Sequence, residues 1–154
     1  MIHAGFALDL KDKNATVELE TCARCHSRRA PLSDGYTPGK RLMDDYLPSA
    51  LTRELYALDG KIKDEVFEHG SFAQSKMFDK GVRCSNCHNP HSNELKAPGN
   101  GVCLQCHNTA GKTSVEGVNG KGLQAKNYDA IEHTRHTMGQ PGSQCVDCHM
   151  PGKF

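Results

Sequence analysis

Four pentapeptides concentrate the reactive side chains of this 154-residue chain: CARCH at 22–26, CSNCH at 84–88, CLQCH at 103–107 and CVDCH at 145–149. They use all eight cysteines. Two thiols separated by two residues match the two vinyl groups of haem, to which each adds as a thioether. A histidine directly after the second thiol then reaches the iron from the same side. Histidine is 9 of the 154 residues, so four such pairs would each be followed by His by composition alone only about once in a hundred thousand chains.

The pattern predicts four haem c groups. Their attachment points are Cys22 and Cys25, Cys84 and Cys87, Cys103 and Cys106, and Cys145 and Cys148, with proximal ligands His26, His88, His107 and His149. Other chemistries use paired cysteines. Zinc knuckles combine Cys and His, and the interval from Cys84 to Cys106 has ribbon-like spacing, but zinc does not require a His after every second cysteine. Redox dithiols and disulfide frameworks fit four repeated Cys-x-x-Cys-His units poorly.

Five histidines lie outside the motifs: His3, His69, His91, His133 and His136. Four irons with two histidines each need four distal ligands, so the supply is sufficient with one to spare. His91 follows His88 by three residues and is expected to serve a haem other than that of His88. His133 and His136 are three apart, which on a helix places them on one face. His3 and His69 compete for the remaining role. Met77, Met138 and Met150 are possible axial ligands but fit better as packing side chains. Arg28, Arg29, Arg83 and Lys96 suit propionates and solvent equally well.

The elements that must position these ligands are modest. Only 36% of residues are hydrophobic and there is no Trp, which predicts a thin core unless the porphyrins supply it. Residues 27–41 contain Pro31, Pro38, Gly35 and Gly39, against helix. Residues 42–80 carry apolar positions for one or two short helices, interrupted at Pro48, with Ile62, Val66 and Phe67 at near-helical spacing. Residues 108–127 read as a polar, glycine-rich loop. Residues 128–138 read as helix, with Asp129 supporting its start. The expected fold is mainly α with extensive irregular loops and little or no β-sheet. It is a single tetrahaem cytochrome c domain over 1–154, wrapped around stacked haems.

The formal charge is +1. Four haems add roughly eight propionate charges against about four ferric ones, giving a mildly acidic holoprotein. No basic block points to nucleic acid and no apolar run reaches membrane-spanning length. Haem c attachment occurs outside the cytoplasmic membrane, so an exported protein is expected, periplasmic or extracellular. The opening MIHAGFALDL does not read as a signal peptide.

Several stretches resemble a family of large multihaem c-type cytochromes, some with tetratricopeptide repeats, related distantly to cytochrome c554, the octahaem cytochromes and pentahaem nitrite reductase. They are TCARCHSRR at 21–29, the DGY, PG and LMDDYLP elements within 34–48, LYALDGKIKDEVFEHGSFAQSKM at 55–77, GVRCSNCHNPHS at 81–92, GNGVCLQCH at 99–107, and H-x-x-H followed by CVDCHMP within 133–151. The resemblance implies bis-histidine irons in edge-to-edge contact, with His91, His133 and His136 as distal ligands. The family often has Tyr where His69 stands, which favours His3. Family members are usually longer, so this chain resembles a tetrahaem module of such a protein.

Closed, six-coordinate irons make an electron carrier rather than an enzyme the leading expectation. Partners would be redox proteins or copies of the chain itself, in an extracellular filament with haem ligation across subunits. Reduction of nitrite or hydroxylamine is the alternative. It needs an open iron with an acid and a cationic anchor, and the Cys-x-x-Cys-Lys motif of the related nitrite reductases is absent.

Overall fold

Asn14 starts the first helix. Its side chain accepts a hydrogen bond from the Val17 N–H at 3.0 Å, satisfying one of the free donors of the first turn. The computed structural model describes residues 14–35, 37 and 39–150. Within them helices and loops dominate, with a single two-stranded sheet. The chain divides into two compact units, Met1–Cys84 and Ser85–Phe154.

In the first unit, helix α1 (Ala15–Ala23) buries Glu18, Leu19 and Ala23. Strand β1 (Arg29–Pro31) pairs antiparallel with β2 (Tyr46–Pro48), Ala30 opposite Leu47. Between them lies α2 (Leu42–Asp45). The apolar run from Leu42 therefore does not continue as helix to Pro48. The chain turns extended at Tyr46, and Pro48 sits at the end of an edge strand, where a residue without an N–H is tolerated. Ile62, Val66 and Phe67 are not helical either. Ile62 bridges Tyr56, and helix begins only at α3 (Glu68–Ala73), followed by α4 (Lys76–Asp79), which Ser75 caps. Among the described residues the buried apolar ones are Leu19, Ala23, Leu42, Tyr56 and Val66, all in this unit.

A buried ion cluster closes the unit. Asp45 pairs with Arg24 at 3.0 Å, their side chains 2% and 6% exposed, and accepts from Lys40 and Ser33, each at 3.0 Å. Arg24 also donates to the Lys40 carbonyl, tying α1 to the segment before α2. Lys40 first and then Arg24 hold the Asp45 carboxyl below its usual range, against the opposing effect of burial. A depressed carboxyl contributes stability that is complete above its unfolded pKa of about 3.9 and lost as pH falls through the lower folded value. Asp45→Asn should therefore weaken the unit at neutral pH and flatten the acid limb of its stability profile, measured by denaturant midpoints between pH 2 and 7.

Gly70 lies where the Tyr56 hydroxyl would overlap any Cβ, with a Leu51 methyl 3.1 Å away. Gly70→Ala should destabilise the unit by about 1–3 kcal/mol, the cost of overpacking. Tyr56→Phe in the same chain should recover part of that loss, and a thermal denaturation series of the four variants reads the coupling.

The second unit contains α5 (Cys84–Cys87, its first residue across the division), α6 (Gly101–Leu104), α7 (Ile131–Thr134) and α8 (Cys145–His149), joined by turns. Residues 108–127 are turns and irregular loop, as their composition predicts. The helix at 128–138 shrinks to one turn. Ala130 holds its N-cap position, and Asp129 instead accepts from the Asn100 side chain at 2.9 Å. Among the described residues of this unit none that is apolar is buried; Asn100 and Ser143 are.

Candidate haem-attachment sites

Every Cys-x-x-Cys-His run forms or ends a turn of helix. His26 N–H donates to the Cys22 carbonyl at 2.9 Å and His107 N–H to that of Cys103 at 2.9 Å, while 84–87 and 145–149 are helical. Residues i, i+3 and i+4 share a helix face, so both thiols of each run face one direction, and His26, His107 and His149 face with them, while His88 leaves the turn to bridge Leu95. That shared face is the physical basis of the motif: one flat group can meet all three side chains. All eight cysteines are free, against a disulfide framework.

Thiols of different motifs approach one another within each unit. In the first, Cys22 and Cys84 lie with Glu18 so that their ligand atoms are within 4.8 Å of one another. The hydrogen bond to Cys84, then burial, pushes the Cys22 thiol well up, and the same bond draws Cys84 down. In the second, burial first and then the neighbouring Cys145 push the Cys103 thiol up to about 11, with Cys87 adding. Among the described residues Glu18, Cys22 and Cys84 form the one group of three or more metal-type ligands that converges.

His69 stands in α3, half-buried, its N–H donating to the His26 carbonyl at 3.2 Å. It is the only histidine outside the motifs among the described residues of the first unit. Burial lowers its pKa, with Glu20 opposing. His3 lies outside the described residues. His91 is exposed, in a left-handed backbone conformation with φ 70°, in the turn that follows the bridge of His88 to Leu95. His133 and His136 do not share a helix face. Helix α7 ends at Arg135, φ 61°, and the His136 ring lies over Gly142, where an added Cβ would meet its Nε2 at 2.9 Å. His133 remains on α7, its ring 6.1 Å from that of His149 and tilted by 12°. Tyr128 packs edge-on against both His107, at 5.7 Å, and His133, at 5.1 Å.

Three residues of this region escaped sequence reasoning. Asn100 donates to Asp129 and to the Ser143 carbonyl at 3.2 Å, and accepts from the Cys145 N–H at 2.8 Å. It thereby joins the entry to the third motif to the start of the fourth. Ser143 and Tyr128 complete that frame. Their only sequence signal is closeness to the motifs. Of the cationic candidates, Arg28 pairs with Asp64 at 2.8 Å and Arg29 covers the Tyr46 ring at 4.5 Å. Met77, Met138 and Met150 are all exposed, at 42%, 47% and 62%.

Residues 69–112 match the doubled CXXCH motif. The match spans the second and third motifs and identifies a multihaem c-type cytochrome-like module, which holds haem c covalently. No curated protein and no solved structure matches the chain. The doubled motif fits this unit physically. Its thiols face together on helical turns, and the described residues of the second unit, which holds most of it, include no buried apolar side chain, as expected where a large apolar cofactor forms the core. No helix among the described residues is long and apolar enough to cross a membrane.

Proposed function

We propose that this protein transfers electrons through four covalently attached c-type haems whose irons are closed by histidine on both sides. The observation that carries the reading is the common geometry of the four motifs, each a helical turn presenting two thiols on one face with a histidine directly after them. Bound haem supplies a one-electron iron couple. The cysteines anchor each group, and His26, His88, His107 and His149 fix the near side of each iron. His91, His133 and His136, with His3 or His69, supply the far side, leaving no position for substrate. The close thiols Cys22 and Cys84 in one unit, and Cys103 and Cys145 in the other, support short haem-to-haem spacing, which electron tunnelling requires. Covalent haem attachment places the working protein outside the cytoplasm, with redox proteins as partners.

Intact-protein mass after expression with haem-attachment machinery counts the haems, and low-temperature EPR of the ferric protein counts spin states. Four haems, all low-spin and inert to cyanide, are expected. Fewer than four haems, or a high-spin cyanide-binding iron in the native protein, would overturn the reading.

A further inference from the structure

The geometry points to His133 and His149 as the two axial ligands of one iron, that of the haem attached at Cys145 and Cys148. This rests on the haem reading above and goes beyond it by pairing one distal histidine with one haem. His149 closes α8 four residues after Cys145, on the face shared by both thiols of the motif. It is therefore the near-side ligand there. The His133 ring comes from a different element, α7, yet lies 6.1 Å away with its plane only 12° from that of His149. Two metal–nitrogen bonds of about 2 Å each, plus the distance from each nitrogen to its ring centre, separate two axial imidazoles by roughly 6 Å. The 6.1 Å between the two near-parallel rings matches that separation.

The other observations agree. Lys126 Nζ contacts His133 Nδ1 at 3.3 Å, so Nε2 is the nitrogen left for a metal. Ligation through Nε2 puts a proton on Nδ1, and the exposed Lys126 then swings into solvent. Tyr128, set edge-on at 89°, restrains the His133 ring from rotating. His136 is excluded from this role by the left-handed turn at Arg135, which carries it to Gly142.

The test uses the holoprotein. His133→Ala should keep four haems by mass and convert one quarter of the ferric iron from low-spin to high-spin, with cyanide binding to that fraction. Added imidazole should restore the low-spin signal. In a chain lacking the fourth motif (Cys145→Ala, Cys148→Ala), His133→Ala should create no high-spin iron. His133→Met guards against poor folding of the alanine variant: one haem of four should remain low-spin with a raised potential, as His/Met ligation gives. Lys126→Met should leave all spectra unchanged. The inference is overturned if His133→Ala leaves every haem low-spin with the haem count intact, or if it creates high-spin iron without the fourth motif. In both cases the four-haem carrier reading survives; a native protein with fewer haems or open iron sinks that reading instead.

Discussion

Chain produced without haem attachment should show no protected amides between residues 85 and 150. In this unit the described residues bury Asn100 and Ser143 and no apolar side chain, so nothing in the polypeptide offsets backbone ordering, which costs about 1–2 kcal/mol per residue. Its helices are turns of four or five residues, far below the length at which helix is stable alone. Local opening free energies near zero are expected throughout the unit by hydrogen exchange. Residues 14–84 should retain more, because Leu19, Leu42, Tyr56 and Val66 are buried there, as is the Arg24–Asp45 pair. In the holoprotein the same 85–150 amides should be protected, since the energy of cofactor binding is then also folding energy. Protected amides in this unit of the haem-free chain would contradict the claim that porphyrin is its core.

In the holoprotein, removing Asn100 should strongly destabilise the second unit. Its side chain makes three hydrogen bonds, to Asp129, Ser143 and Cys145, in an 8%-exposed position. Each contributes about 1 kcal/mol, and a partner stranded without solvent costs about as much again, so Asn100→Ala should lose about 3 kcal/mol. For a unit of this size that lowers the midpoint of thermal unfolding by roughly 10 °C or more. Asn100→Asp separates hydrogen bonding from shape. It keeps the acceptor for the Cys145 N–H but sets a carboxylate against Asp129. Like charges raise a carboxyl pKa, so the deficit of this variant should be largest at neutral pH and shrink as pH falls toward 4. A pH-independent deficit in melting experiments would mean that Asp129 does not face the substituted group.

Much of the chemistry was legible because the motif is local. A thiol, a second thiol three residues on and a histidine after it need one helical turn to face together, and neighbouring residues decide whether that turn forms. Pro31, Pro38 and the glycines likewise forecast a region without helix, and the glycine-rich 108–127 segment forecast turns. The longer periodic readings failed. Leu42 to Leu58 and residues 128–138 have apolar spacing suited to helix, but the chain breaks at Tyr46 to pair with Pro31 and at Arg135 in a left-handed turn. Sheet pairing at Tyr46 outweighed the weak helical preference of a short segment. Asp129 had a good helix-capping side chain locally and a better partner, Asn100, twenty-nine residues away.

The sequence by itself determined the cofactor class, the attachment residues to be expected and the supply of axial histidines, because these depend on residue type and spacing within five positions. Tertiary structure decided which histidines can work together. His133 and His136 are equivalent as letters three apart; one left-handed residue between them sends the first toward His149 and the second over Gly142. It also decided that Asn100 holds two motifs in register and that, among the described residues, apolar burial is confined to the first unit. Those outcomes depend on contacts between residues far apart in the chain, whose energies no local pattern encodes.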